Sequence, residues 1–391
     1  MDNNLRVIFY IESNVLGGCE RAALERAIGV EELGVKTGVV CSEYLDLGLY
    51  KERICKLTLG CQKLPLKSHR EYIIKAFFPS LDFKQIRLVK DALLKNKPDV
   101  LIVVQSGPDG CHTAIHAATS LKIPIIADLA LISDPVIMPY KGSIFRYWWF
   151  KIHYRLCKAI ITNCRKNEEI LRRLGCVSNV PLKVIHYGIK YREYPSCPNL
   201  QERIAARKDM DATDNSWVLG AVGRLTIEKG HSWLIKAFGE LLQVMPDAKL
   251  VIIGDGELYP KLKTMSSVFG DSVKFMGWRE DVFRLYWGMD VFVLPSKVET
   301  NALVVLQAFA AGIPVIATNV HGMSEKVHDK ENALLVDYED TKGFISAMLE
   351  IRKNDALVAK MKDNAFKLVS EELEFGNQII EYKNFIIEML R

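Results

Sequence analysis

The chain has 391 residues, of which 49% are apolar and 25% charged, so it can form two or three globular domains. This composition excludes collagens, coiled coils and disordered chains. The net charge of +5 is unevenly spread, because residues 1–200 carry 29 Lys and Arg against 19 Asp and Glu, whereas residues 201–391 carry 23 against 28. The two halves are therefore expected to face different partners, or the same partner differently.

The nine cysteines all lie in the first half and form no C-x-x-C pair. Because clustered zinc-ligand spacings are missing, they are expected to be reduced, mostly buried thiols of a cytoplasmic protein. The first residues predict a strand and not a signal peptide. No run approaches the ~18–20 apolar residues that span a bilayer, so we expect a soluble or surface-bound protein.

The first half alternates short apolar runs with helical patterns. Strands are predicted at 5–11, 36–41, 99–105, 123–128, 159–163 and 182–188, and helices at 19–33, 81–97, 111–121 and 165–174. Strands that are apolar on both faces are typical of a parallel sheet covered by helices on both sides. The first half is therefore predicted to be a doubly wound α/β domain.

The alternation restarts after a polar stretch at 210–216, which predicts a linker end and a hinge near 190–215. Further strands are predicted at 217–223, 248–254, 273–277, 291–296, 314–318 and 333–336. The fold class is thus α/β, with two tandem doubly wound Rossmann-like domains facing across a cleft. A ligand between them is the default hypothesis.

The most informative segment is PSKVETNALVVLQAFAAGIPVIAT at 295–318. A strand ends there, and a helix is predicted to begin near Asn301 with Thr300 or Asn301 as its N-cap. Backbone N–H groups of residues 300–304, at the positive end of the helix dipole, predict an anion site. Glu299 precedes this site, and Gln307 follows on nearly the same helix face as Thr300. The alternative is an ordinary β–α unit whose Glu and Gln are merely exposed.

Three weaker segments also lie at strand ends. Arg224 and Lys229 flank a loop after Gly223, and two cations there suit a diphosphate, although a solvated loop often carries such charges. The turn GDG at 254–256 favours a tight turn with positive φ. Trp278 and Arg279 end another strand, where they could meet a nucleobase or form an ordinary surface contact.

These four segments, in this order, closely resemble the retaining GT-B glycosyltransferases of family 4. The family pattern is G-R-L-x(3)-K-G, G-D-G, G-x(3)-D-V and then P-S-x(2)-E-G-F-G-x(4)-E-A. The match is specific over 216–336, and weaker over the first half, where it rests on Gly17-Gly18 and on VIHYGI at 184–189. The resemblance implies an acceptor-binding domain at 1–200, a nucleotide-sugar-binding domain at 201–374 and a C-terminal helix at 375–391 that crosses back to the first domain.

The resemblance also implies roles for individual residues. Arg224 and Lys229 would hold the donor diphosphate, and Glu299 would contact the donor sugar. Gln307 would hydrogen-bond the ribose. The remaining donor contacts would come from Gly223, from the backbone of Trp278 and Arg279, from the segment Thr300, Asn301, Ala302, Leu303 and Val304, and from the loop at Gly17 and Gly18.

Two departures from the family pattern stand out. The second Glu of the pattern is Gln307 here, which can still bond a hydroxyl but loses the charge-assisted bond. The family often has a His after the strand IPII, and the corresponding stretch ADLALISD has none. Asp128 and Asp134 are weak candidates for its role, while His112 and His116, on a helical stretch, are more simply explained as structural.

The resemblance implies a hexosyltransferase-type enzyme that moves a sugar from a nucleoside diphosphate sugar to a glycan or lipid-linked glycan acceptor, in cell-surface polysaccharide or lipopolysaccharide synthesis. Arg224, Lys229 and the helix N-terminus can stabilise the leaving diphosphate without a metal, and D-x-D occurs only at 209–211, in the linker. No cofactor is therefore expected. Retention of configuration is implied by the family, and a same-face route is the preferred hypothesis because no nucleophile is evident.

The basic first half concentrates its charge in residues 65–97 and in PYKGSIFRYWWFKIHYRLCK at 139–158. Basic residues interleaved with aromatic ones suit an anionic membrane interface, so peripheral binding to the inner face of the cytoplasmic membrane is one hypothesis. The other is a helix with its aromatic residues in the core.

Three other functions are alternatives. A nucleic-acid binder lacks a recognisable motif and leaves 295–318 unexplained. A sugar-nucleotide epimerase of similar architecture would share the base and diphosphate contacts. A degenerate transferase that binds a nucleotide and acts as a scaffold would be consistent with Gln307 and the missing His.

Overall fold

The structure, a computed structural model, describes residues 4–66, 82–108, 110–132, 143–177, 179–194, 199–320 and 322–391, with only the course of the helix for 143–148. The chain divides into two compact units. Unit 1 comprises Met1–Tyr187 and Gly376–Arg391, and unit 2 comprises Gly188–Phe375.

Unit 1 is built on seven parallel strands. They are β1 (Arg6–Ile11), β2 (Lys36–Ser42), β3 (Cys61–Leu64), β4 (Val100–Gln105), β5 (Ile125–Leu129), β6 (Ala159–Thr162) and β7 (Leu182–Val184). Their order in the sheet is β3-β2-β1-β4-β5-β6-β7. The helices of this unit are α1 (Gly18–Glu32), α2 (Lys51–Cys55), α3 (Phe83–Asn96), α4 (His112–Ser120), α5 (Ser143–Tyr154) and α6 (Arg165–Arg173). The central strands are buried on both faces, as their continuous apolar sequences predict.

Unit 2 repeats this plan with six parallel strands. They are β8 (Trp217–Val222), β9 (Ala248–Ile253), β10 (Val273–Phe275), β11 (Val291–Leu294), β12 (Val315–Thr318) and β13 (Leu334–Val336). Their order is β10-β9-β8-β11-β12-β13. The helices are α7 (Leu200–Asp209), α8 (His231–Leu241), α9 (Tyr259–Ser266), α10 (Val282–Tyr286), α11 (Leu303–Ala310), α12 (Thr341–Lys353) and α13 (Asp355–Lys367). The prediction of two tandem doubly wound Rossmann-like domains is confirmed.

The strands that differ most from the prediction are edge strands. β3 was not predicted, because CQKL is short and half polar, which an edge position tolerates. β7 ends at Val184 and not at residue 188. One further bond, from the Ile185 N–H to the Thr162 carbonyl at 2.8 Å, follows before the chain turns away.

Unit 2 begins earlier in the chain than the predicted boundary at residue 200. Helix α7 lies within unit 2, where Arg203 and Arg207 both bond the Asp290 carboxylate, at 2.5 and 3.1 Å. The polar stretch 210–216 therefore follows a helix of the same unit and does not join the two units. The last helix, α14 (Phe375–Leu390), places residues Gly376–Arg391 in unit 1.

Each sheet has one point at which the strand order reverses. It lies between β1 and β4 in unit 1 and between β8 and β11 in unit 2. In doubly wound sheets, ligands bind outside the carboxyl ends of the strands at this switch point. The loops after Val222 and Leu294 are thus the first place to look for a site in unit 2.

Candidate active site

The loops that follow β8 and β11 in unit 2 pack tightly against each other. The Lys297 N–H donates to the Glu228 carbonyl at 2.8 Å. Gly230 has a φ of 69°, and a Cβ at this position would lie 1.8 Å from the Pro295 carbonyl oxygen. Only glycine fits there, so Lys229 and Gly230 in the loop after β8 are held directly beside the segment that carries Glu299.

An ion pair joins the two loops. Lys229 Nζ lies 2.6 Å from Glu299 Oε2, and the side chains are 21% and 10% exposed. The other carboxylate oxygen of Glu299 accepts the Thr300 N–H at 3.2 Å. The structure therefore brings together two of the predicted site residues that are 70 positions apart in the chain.

Arg224 precedes Lys229 by five residues in the loop after β8 and has a different environment. Its side chain is exposed, and within the described ranges no carboxylate forms an ion pair with it. The GDG turn supports its loop, since the Leu225 N–H bonds the Asp255 carbonyl at 2.9 Å. Gly254 and Gly256 have φ values of 138° and 159°, as the sequence predicted. A cation held on an ordered loop without a protein partner is available to an anionic ligand.

Helix α11 begins later than predicted. Its N-cap is Ala302, and no side chain caps it, so the expectation of a Thr300 or Asn301 cap is wrong. The Thr300 N–H is bonded to Glu299, and the Asn301 Oδ1 accepts from Lys326 Nζ at 2.7 Å. The first helical amides, those of Leu303 and Val304, remain at the positive end of the helix, where an anion site was predicted.

Gln307 lies on α11 between two tyrosines. Its Nε2 donates to Tyr194 Oη at 3.2 Å, and its Oε1 lies 3.4 Å from Tyr286 Oη. The amide is thus oriented by protein groups, and its predicted contact with a ribose stays a prediction.

The end of β10 exposes Trp278, which is 55% accessible. The neighbouring Arg279 makes two bonds of 2.8 Å to Asp281. These bonds, together with Arg284, lower the pKa of Asp281 to about 2. The Arg279 side chain is therefore occupied, which is compatible with the predicted contact of a base through the backbone alone.

In unit 1, the Gly17-Gly18 loop follows β1 at the switch point. The Gly17 N–H bonds the Glu20 carboxylate at 3.0 Å, and a Cβ there would lie 2.9 Å from that oxygen. A Cβ on Gly18 would meet nothing within 4 Å. The loop is therefore open at Gly18, and its approach to a diphosphate stays a prediction.

Asp128 is a structural residue, which corrects its candidacy for a donor contact. Both of its oxygens accept from Arg26 Nη1, at 2.9 and 2.7 Å, and its side chain is 4% exposed. Asp134, the other candidate, lies outside the described residues. His112 and His116 contact His153 of α5, with the His116 and His153 Nε2 atoms 3.1 Å apart, as a structural role requires.

Of the two basic stretches, residues 67–81 and 139–142 and the side chains of 143–148 lie outside the described residues. On α3, Phe83 and Leu94 are exposed by 73% and 56%, between exposed basic residues. On α5, Phe150 and Tyr154 are buried, so these two aromatic residues belong to the core and not to an interface. No helix in the described ranges is both long and apolar enough to cross a membrane.

Two family models match the chain. "Glycosyltransferase Family 4" matches residues 16–192, and "Glycosyl transferases group 1" matches residues 216–354. Together they cover more than half of the sequence; the first lies almost entirely in unit 1, and the second lies in unit 2. The chain belongs to the family 4 glycosyltransferases.

Relatives of this glycosyltransferase act on different donors. The chain is 26% identical over 367 residues to the UDP-Gal:alpha-D-GlcNAc-diphosphoundecaprenol alpha-1,3-galactosyltransferase of Escherichia coli, covering 89% of this chain and 90% of the relative. It is 27% identical to a GDP-mannose-dependent alpha-mannosyltransferase of Corynebacterium glutamicum, covering 73% of this chain and 66% of the relative. The crystal structure of Anabaena HepE in complex with UDP has a TM-score of 0.79 and 17% identity, covering 98% of this chain and 100% of HepE. This likeness shows the GT-B fold.

Sequence reasoning missed two features of this glycosyltransferase. His231 is the first residue of α8 and is 2% exposed. Burial and the charge of Lys229 lower its pKa to about 4, so the imidazole is neutral. Tyr194 contacts Gln307 across 113 residues of sequence. The position of His231 directly after Lys229 and Gly230 could have marked it as a site residue, whereas no sequence pattern links Tyr194 to Gln307.

Proposed function

We propose that this glycosyltransferase moves a sugar from a nucleoside diphosphate sugar to a hydroxyl of a glycan or lipid-linked glycan, with retention of configuration and without a metal. The observation that carries the proposal is the Lys229–Glu299 pair at the switch point of unit 2, whose lysine shares the loop after β8 with the exposed Arg224. Two cations, Arg224 and Lys229, and the carboxylate of Glu299 follow strands at the carboxyl edge of one sheet. This set suits a ligand with a diphosphate at one end and sugar hydroxyls at the other.

The chemistry follows from charge. When the bond between the sugar and the diphosphate breaks, negative charge grows on the leaving phosphate oxygen. Arg224, Lys229 and the amides of Leu303 and Val304 would stabilise that charge. Glu299 would accept hydrogen bonds from the sugar and fix its orientation. In the same-face route, the leaving phosphate takes the proton of the acceptor hydroxyl as the new glycosidic bond forms.

Relatives support the substrate class. The E. coli relative is named for a UDP-galactose donor and a diphosphoundecaprenol-linked acceptor, and the Corynebacterium relative for GDP-mannose. We therefore place the donor among uridine and guanosine diphosphate sugars. The acceptor class is a lipid-linked glycan of cell-surface polysaccharide or lipopolysaccharide synthesis.

Thermal shift with UDP-, GDP-, ADP- and TDP-sugars tests the donor. A ligand at 100 times its Kd stabilises the native state by about 2.7 kcal/mol, so a UDP- or GDP-sugar should raise Tm by several degrees. Arg224→Ala should reduce this shift, while Lys236→Ala, a cation on α8, should keep it. No shift with any of the four would contradict the proposal.

A product assay then separates the three remaining functions. With EDTA present, the bound donor is incubated with a lipid-linked glycan acceptor. Release of nucleoside diphosphate together with a lengthened α-linked glycan supports transfer. A changed sugar on an intact nucleotide would indicate an epimerase, and tight binding with no product would indicate a scaffold.

We also propose that α3 brings the enzyme to the inner face of the cytoplasmic membrane, where a lipid-linked acceptor is found. Phe83 and Leu94 are exposed between Lys84, Arg87 and Lys95, and each basic residue near anionic lipid contributes about 1 kcal/mol.

In flotation with phosphatidylglycerol vesicles at low salt, the wild type should float. Lys84→Glu with Arg87→Glu should abolish flotation, and Lys360→Glu with Lys362→Glu on α13 should not. Equal flotation of both variants would contradict this role of α3.

A further inference from the structure

Gln307 is held by hydrogen bonds from two sides of unit 2. Its Nε2 lies 3.2 Å from the hydroxyl of Tyr194, which follows the short 3-10 helix Tyr191–Glu193. Its Oε1 lies 3.4 Å from the hydroxyl of Tyr286, at the end of α10. The two contacts differ in strength, and the reason lies in where the Tyr286 proton goes.

Tyr286 has one proton to donate and two acceptors within reach. The Val304 carbonyl is nearer, at 3.0 Å, than Gln307 Oε1, at 3.4 Å. Burial raises the pKa of Tyr286 well above its ordinary value, so the proton stays on the hydroxyl. The bond to Val304 uses it, which leaves the contact between Gln307 and Tyr286 weak.

The contact with Tyr194 therefore sets the orientation of the Gln307 amide. The Tyr194 ring is itself fixed, because it packs edge-on against Phe283 with ring centroids 6.3 Å apart. One N–H of the Gln307 amide goes to Tyr194, and the amide has a second N–H and a carbonyl oxygen to present to a ligand.

We propose that Tyr194 is a positioning residue that holds the Gln307 amide in the orientation in which it bonds the ribose hydroxyls of the donor. The inference rests on the proposed function, because it concerns the nucleotide that function requires. It also uses the groups of the amide separately: one N–H of Gln307 goes to Tyr194, and the second N–H and the carbonyl oxygen remain for the ribose hydroxyls.

Binding of UDP and GDP, compared with their 2′-deoxy and 3′-deoxy analogues, tests this by calorimetry. In the wild type, loss of the bonded ribose hydroxyl should weaken binding about tenfold. Tyr194→Phe removes only the hydroxyl of the positioning residue. It should reduce this discrimination to about two- or threefold, and Gln307→Leu should abolish it.

Tyr191→Phe is the matched control. Tyr191 lies three positions before Tyr194, and its ring packs against Phe366. Removing its hydroxyl should keep the tenfold discrimination. Equal weakening of ribose and deoxyribose forms by Tyr194→Phe, or no change, would overturn the inference while leaving nucleotide binding intact. Failure of the wild type to bind either diphosphate would instead overturn the proposed donor class, and the inference with it.

Discussion

Two ion pairs of nearly equal length serve different ends in the two units. In unit 1, Arg26 and Asp128 are 2.7 Å apart with side chains only 6% and 4% exposed. In unit 2, Lys229 and Glu299 are 2.6 Å apart with side chains 21% and 10% exposed. The distance between the charges is nearly the same in the two pairs, so the difference between them lies in their surroundings.

The pair in unit 1 is closed on every side. Arg26 also donates to the Ile185 carbonyl at 3.0 Å, and its guanidinium lies 4.5 Å from the centre of the Tyr382 ring. The Tyr382 hydroxyl donates to Asp128 at 2.9 Å, which joins α14 to β5. Burial alone would lower the pKa of Arg26, but the charge of Asp128 raises it above its ordinary value. This pair holds a structure together.

The pair in unit 2 lies at the carboxyl edge of its sheet and is less enclosed. Its lysine is a compact charge on a flexible chain, which can change partners more easily than a guanidinium bonded on several sides. A closed pair of charges therefore stabilises a fold, and an open pair at a switch point can exchange one partner for a ligand. Variants of the two pairs should separate stability from activity.

Asp128→Asn should have the largest effect, and on stability. It leaves the Arg26 charge buried without its counter-charge, so unfolding free energy should fall by about 3–5 kcal/mol. Urea denaturation measures this free energy. Glu52→Gln, which removes an exposed partner of Lys56, should leave the urea midpoint of unfolding unchanged. At a temperature where the Asp128 variant is folded, its affinity for nucleoside diphosphates should equal that of the wild type. A weaker affinity would mean that the closed pair also serves binding.

Glu299→Gln should show the opposite pattern. The amide keeps the shape but loses the charge that orients the sugar, so kcat should fall about 100-fold while Tm changes by a few degrees at most. Steady-state transfer assays with labelled donor measure kcat. Glu228→Gln, in the neighbouring loop, is the control and should retain activity. Near-normal transfer by Glu299→Gln would remove Glu299 from the active site.

The sheets could be predicted because their strands are apolar on both faces, which leaves a clear pattern in the sequence. The edge strand β3 could not, since CQKL lacks that pattern. The placement of Glu299 and Lys229 at strand ends was also predictable, from the resemblance and from the ends of the apolar runs.

The start of α11 was mispredicted for a physical reason. Thr300 and Asn301 are good caps in isolation, but Glu299 binds the Thr300 amide and Lys326 binds the Asn301 side chain. Long-range side-chain bonds of this kind leave no periodic signal. The contact between Tyr194 and Gln307 escaped prediction for the same reason.

Acid should lower the stability of the fold through His231, which lies two positions after Lys229. The pKa of His231 is about 4 when folded, against an ordinary 6.5, so the unfolded chain takes up the proton first as pH falls. Its contribution to stability is complete well above pH 6.5 and is lost as pH falls towards 4, by about 2 kcal/mol between pH 7 and 5.

In His231→Gln the side chain stays neutral at every pH. The free energy of unfolding should therefore fall with acid by about 2 kcal/mol less in this variant than in the wild type. His153 of unit 1 also has a pKa of about 4, so the wild type and the variant share its contribution, and the difference between their slopes isolates His231. Identical slopes in urea denaturation from pH 5 to 7 would show that His231 is not held neutral.

The smallest effect is expected at a third pair, which extends the comparison to the surface. Arg352 and Asp247 form two bonds, at 2.8 and 2.7 Å, but their side chains are 37% and 34% exposed. Water and salt screen such a pair, so Arg352→Gln should lower unfolding free energy by less than about 1 kcal/mol. Because salt screens the charges, the difference from the wild type should shrink further in 1 M NaCl. A loss comparable to that of Asp128→Asn would show that enclosure does not set the strength of these pairs, because the geometry of the Arg352 pair is as good as that of Arg26.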